Sequence, residues 1–184
     1  MVFDAPSRWV RVCAIQAVLI VAITAAAATT AMATPGNALS PRVRSSDAVI
    51  RSLITEAAAH SRTFRRLLET IEASDGIVYV ESGNCGHGVR ACLTMSVTPA
   101  GDYRILRILI DMRQKPRDLM ASIGHELRHA TEVLENRSLV DNARLYLFYA
   151  HRSGSSDHPF ETSAAIQAGF AVRNEIESSL QAAR

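Results

Sequence analysis

An α+β domain is the fold class the sequence predicts, and three observations predict it. Two amphipathic helical runs come first, three short strand-like runs follow, and three further helical runs close the chain. The turn sequence Pro99-Ala100-Gly101-Asp102 joins the last two strand-like runs, which predicts an antiparallel hairpin and hence a small antiparallel sheet. Length agrees: of 184 residues, the first 33 read as a removable leader, leaving 184 − 33 = 151, enough for one ordinary core.

The leader, residues 1–33, has a positive start in Arg8 and Arg11, weakened by Asp4, and an uncharged run from Val12 to Ala28 broken only by Gln16 and Thr24. Ala31-Met32-Ala33 supplies the small residues that a signal peptidase reads, and Thr34-Pro35-Gly36 breaks structure after it. We expect cleavage after Ala33 and a secreted or periplasmic protein. An uncleaved anchor is the weaker alternative, because so much alanine makes a poor hydrocarbon span. Residues 34–45, rich in Pro, Ser and Gly, read as a linker, and residues 46–184 as one domain.

Ser45, Ser46 and Asp47 are candidate caps for a helix running to about residue 60, with Val49, Ile50, Leu53, Ile54 and Ala57 as its apolar stripe. A second helix is expected over Thr63–Ala73 on Phe64, Leu67, Leu68 and Ile71, ending at Asp75-Gly76. The strands are expected at Ile77–Glu81, Cys92–Val97 and Tyr103–Ile110. Pro116 opens a long helix to about Asn136; others are expected over Leu139–Tyr149 and Phe160–Leu180.

Hydrophobic residues at 48% and charged residues at 21% exclude a disordered or fibrous chain. Without the leader, 18 basic residues face 17 acidic ones, a net charge of +1, which makes no electrostatic case for nucleic acid or a membrane surface. Aromatics at 5% argue against a base-stacking platform. Cys85 and Cys92 are the two cysteines beyond the leader and bracket a turn-rich stretch, so a disulfide is expected between them. The alternative, a metal site on Cys85, His87 and Cys92, lacks a fourth ligand of matching spacing.

The chemistry concentrates at His125-Glu126-Leu127-Arg128-His129, an HExxH motif that composition alone would yield ~0.01 times in such a chain. Residues i and i+4 share a helix face, close enough for two imidazoles to hold one tetrahedral Zn²⁺, and Glu126 stands beside them. Met120, Ile123, Leu127, Ala130 and Leu134 form an apolar stripe, with His125, His129 and Glu132 opposite it. Arg117, Gly124, Arg128, Thr131 and Glu135 occupy a third, solvent-suited sector.

Such a site needs a third ligand and an open fourth position. Glu161 is the best candidate, since it opens a stripe continued by Ala165, Ala168, Val172 and Ile176, where a carboxylate is costly unless a charge meets it. It is also expected in the first helical turn, at the positive end of the helix dipole. Capping that helix is the plainer reading of Glu161. Glu132 is the rival ligand, but three ligands from one straight helix would stretch over two turns, so a hydrogen-bonding role behind a zinc histidine is preferred. Asp157 and His158 are weaker rivals.

Together, His125-Glu126-x-x-His129 and the later Phe160-Glu161-Thr162-x-Ala164 resemble the gluzincin zinc metallopeptidases, over about residues 77–182. Metzincins do not fit, because their motif wants Gly where Glu132 stands and His where Glu135 stands. The resemblance implies one zinc per chain on His125, His129 and Glu161. It implies hydrolysis of a peptide or protein substrate, with Glu126 as general base and the peptide lying along the edge strand Tyr103–Ile110. Tyr146, Tyr149, His151 and His158 are the available oxyanion donors. Against that resemblance, the sequence leads us to expect a small domain without a second lobe after the site. The alternative is a non-catalytic binding protein of zincin fold, and a metal-free envelope scaffold is a third.

Overall fold

Of the candidate caps before the first helix, Asp47 makes the capping bonds: its Oδ1 accepts the N–H groups of Val49 and Ile50 at 2.7 and 3.3 Å. The computed structural model describes residues 42–152 and 160–183; the expected leader, the linker as far as residue 41, Asp157 and His158 lie outside the described residues. Helix α1, Ala48–His60, buries Ile50, Leu53, Ile54 and Ala57, whereas Val49, expected with them, is 58% exposed one step round the helix. Helix α2, Arg62–Glu72, follows after one residue. Ser61 serves both helices: its N–H bonds Ala57 O at 2.8 Å and its Oγ accepts the Phe64 N–H at 3.0 Å.

The strands correct the expected sheet. Val43–Arg44, read as linker, form β1 and pair in parallel with β2, Gly76–Ser82. Strand β2 in turn pairs in parallel with β5, Tyr103–Ile110, Val78 standing opposite Leu106 and Val80 opposite Ile108. The sheet is therefore mixed rather than antiparallel. The connection a parallel pair requires is made by residues 83–102, which lay β3, Ala91–Leu93, and β4, Thr98–Ala100, antiparallel along the far side of β5. The hairpin turn at Gly101-Asp102 is where the sequence puts it, with Gly101 at a φ of 60° that a side chain would resist.

The strand expected over Cys92–Val97 is interrupted instead. Leu93 pairs with Ile108 and Thr98 with Ile105, so residues 94–97 stand opposite only Leu106 and Arg107, a bulge that bends the chain. Strand β5 is thus an interior strand, and β3 is the edge strand beside α3, Pro116–Glu135.

One sheet face is closed by Val78, Val80, Leu106, Ile108 and Ile110, against α1, α2 and α3. Helix α3 is buried nearly all round, Gly124 and Thr131 included, because α5, Ser163–Ala182, packs on the side the sequence assigns to solvent. Gly124 makes that approach possible: a Cβ there would lie 2.8 Å from Val172 Cγ2 on α5. Helix α4, Asn142–Arg152, begins three residues later than expected.

Helix α3 has no basic residue in its last turn, and its end is closed from a distance. Arg104 on β5, only 4% exposed, donates to the carbonyls of Val133, Leu134, Asn136 and Leu139 at 2.8–3.1 Å. Its Nε and Nη2 also grip Asp75 at 3.0 and 2.7 Å. That fork holds Asp75 below the usual carboxylate range, against a smaller opposing effect of burial.

Candidate metal centre

The i, i+4 spacing sets His125 and His129 on one face of α3 with ring centroids 4.9 Å apart. Helix α5 brings the third group. Thr162 caps it by accepting the Ala165 N–H at 3.2 Å, so the helix starts at Ser163 rather than Phe160, and Glu161 precedes the cap instead of lying in the first turn. Glu161 is not buried on the core stripe either; its side chain is 40% exposed and reaches His125 Nε2 at 3.2 Å. Ligand atoms of His125, His129 and Glu161 lie within 4.8 Å of one another. Two imidazole nitrogens and one carboxylate oxygen at this spacing are a donor set that could hold one metal ion.

The surroundings fix these groups. Glu132 Oε2 lies 3.2 Å from His129 Nδ1, and Glu132 Oε1 accepts the Thr162 hydroxyl at 2.8 Å with Arg128 Nε 3.6 Å away. Glu132 thereby ties the first residue of the α5 cap to the second histidine and leaves His129 Nε2 free for a metal. Burial pushes the Glu132 pKa up, but hydrogen bonds from His129 and Thr162 outweigh it and hold the group below its ordinary value. On α5, Gly169 sits against His125; a Cβ there would lie 3.3 Å from that of the histidine. Burial disfavours a charged His125, yet the hydrogen bond to Glu161 and the charges of Glu126, Glu161 and Glu132 raise its pKa overall.

Glu126 is 5% exposed, with Oε1 3.9 Å from His125 Nε2 and Oε2 accepting the main-chain N–H of Leu93 at 2.6 Å. Burial raises its pKa, and the nearby histidines and that N–H offset the rise only in part. The Leu93 donor has no signature in the sequence, because it is a backbone group exposed by strand order. Arg90 O accepts from the Asp111 N–H and the Thr94 N–H donates to Arg107 O, so the N–H and C=O groups of Ala91 and Leu93 must point off the sheet edge.

Cys85 and Cys92 form a disulfide with Cα atoms 6.0 Å apart, which removes both thiols from the alternative metal site. The loop it closes walls a cleft with two lobes. A larger lobe of about 730 Å³ runs past Met95, His129, Tyr149 and Phe160, and a smaller one of about 340 Å³ runs past Ser122, His125 and α5; both border Glu126 and Glu161.

The expected oxyanion donors fare differently. Tyr149 is 2% exposed, and its hydroxyl donates to His129 O at 3.1 Å, so its proton is spent on α3. Tyr146 and His151 are exposed on α4 and line neither lobe. Thr162 is the contact that sequence reasoning missed, although its type and position before a helical run are an N-cap signal.

No protein-family model, no curated protein and no solved structure matches this chain.

Proposed function

We propose that this is an exported, zinc-dependent peptidase of gluzincin type. The observation that carries the reading is the convergence of His125, His129 and Glu161 at the junction of two cleft lobes, with Glu126 beside them. Those three residues would hold a zinc ion, which when bound would supply the Lewis acidity to acidify water and polarise a scissile carbonyl. Glu126 takes the proton of the attacking water: its Oε1 faces the histidines while the Leu93 N–H holds Oε2. Glu132 orients His129. The peptide lies along β3, where the outward N–H and C=O of Ala91 offer a strand's pairing groups at the cleft. The Cys85–Cys92 disulfide suits an oxidising compartment, and among the described residues no helix is long and apolar enough to cross a membrane.

One observation favours the rival reading, a binding protein of the same fold: the buried Glu126 carboxylate is already engaged by Leu93. Glu126→Gln separates the two. It keeps shape and zinc affinity, and on the catalytic reading it slows hydrolysis of a peptide library at least about 100-fold. Zinc bound one per chain with no hydrolysis by the parent establishes the binding protein, and a chain that takes up no zinc after reconstitution defeats both.

A further inference from the structure

Eight large hydrophobic side chains are exposed among the described residues, and three of them, Val89, Ile166 and Phe170, line the smaller lobe. They are 49%, 42% and 62% exposed and stand on opposite walls, Val89 ahead of the edge strand and the other two one turn apart on α5. Exposed apolar surface is ordinary when scattered, but gathered on one cleft it marks where a ligand lies. Two arginines, Arg90 and Arg173, share the lobe with the Glu126 and Glu161 carboxylates at its metal-facing end. Arg173 is neutralised by Asp118 at 2.7 Å. Arg90 makes no ion pair within 4 Å among the described residues, although its charge reaches Asp111, which Arg113 holds at 2.6 Å.

Its backbone, in contrast, is tightly held. Arg90 O accepts the Asp111 N–H at 2.9 Å and Gln114 Nε2 at 3.1 Å, and Ser122 on α3 donates to Gln114 Oε1 at 3.1 Å. The disulfide closes two residues further on. A cation whose backbone is anchored next to the edge residue Ala91, across from an apolar shelf, offers its charge to whatever pairs with that edge.

We infer that Arg90 is a specificity-determining residue that selects peptides carrying an acidic side chain, adjacent to a large apolar one, on the smaller-lobe side of the site. The inference rests on the reading of the cleft as a peptide groove, and its test separates the two. Fluorescently labelled peptides that differ only by Glu or Lys beside a Phe are titrated into zinc-loaded Glu126→Gln protein, where binding is read without cleavage. The Glu peptide should bind about fivefold tighter, the scale of one exposed ion pair, with the margin shrinking in high salt. Arg90→Glu should invert the preference and Arg90→Gln should erase it, with unchanged circular dichroism. Equal affinity for the two peptides, a preference indifferent to residue 90, or no binding of either would overturn the inference. A parent that keeps the preference yet cleaves neither peptide would uphold it and defeat the peptidase reading alone.

Discussion

Replacing Arg104 with methionine is expected to remove about 3–5 kcal/mol of folding stability, the range measured when one partner of a buried ion pair is deleted. The structure accounts for the size. Methionine keeps the length and the apolar stem but takes the donor from the carbonyls of Leu134 and Leu139 and from the Asp75 carboxylate, while those of Val133 and Asn136 keep one main-chain N–H each. Water can reach Asp75, whose side chain is 32% exposed, so most of the loss belongs to the carbonyls and the buried end of the helix. Against a total stability of about 5–15 kcal/mol this is severe. Urea unfolding followed by far-ultraviolet circular dichroism should show a midpoint lower by about 2 M, taking a slope of about 2 kcal/mol/M. Arg104→Lys restores charge without the planar fork and should recover less than half. The contribution of Asp75 has a sign fixed by its lowered pKa. It is present above the ordinary carboxylate range and is lost as pH falls through the lower folded value, so Asp75→Asn should destabilise at pH 7 and progressively less below about pH 4. A cost for Arg104→Met under about 1 kcal/mol would refute the account of how α3 is held.

Four further outcomes follow from the site and its supports. In a chelator competition, Glu161→Ala should abolish stoichiometric zinc binding, as should His129→Ala, whereas Glu132→Ala should weaken it only about 10–100-fold; the reverse order would move the ligand role to Glu132. Gly124→Ala gains about 1 kcal/mol of helix propensity but meets Val172 at 2.8 Å, so a net loss of about 1 kcal/mol in urea unfolding is expected, and a stabilised variant would deny the close packing of α3 and α5. Mass spectrometry after alkylation should find Cys85 and Cys92 unmodified unless the protein is first reduced. Their paired replacement by serine should cost about 2.5 kcal/mol from the loop they close, and no measurable cost would place that restraint elsewhere.

What could be read in advance was what is local. Pro116 and the apolar stripe place α3 within a residue of its observed bounds, and the i, i+4 spacing alone puts His125 and His129 together. The pairing of β2 with β5 was not legible, because the turn at Gly101 speaks only for its own neighbours and the partner of β2 lies beyond a 20-residue crossover. The bulge at 94–97 was hidden too: Cys92–Val97 looks like one strand, and only the register of β5 shows it as two. Gly124 falls in the solvent-suited sector because a glycine carries no hydrophobic signal, while its small size is what the neighbouring helix uses. Glu161 was legible as a residue but not as a place. Its helix begins at Ser163, three residues later than the expected start at Phe160, since Thr162 rather than the glutamate provides the cap.

The arginine clamp also gives a way to recognise kindred chains. HExxH is short enough to arise by chance, and a carboxylate on a later helix adds little. Asp75 on the turn into β2, Arg104 on the strand alongside and His125 on the following helix are separated by 29 and 21 residues, and the register of β2 with β5 is what brings the first two together. A sequence with an aspartate and an arginine at comparable places before an HExxH helix could close that helix in the same way. A sequence with the motif but without the pair must close that helix end by other means.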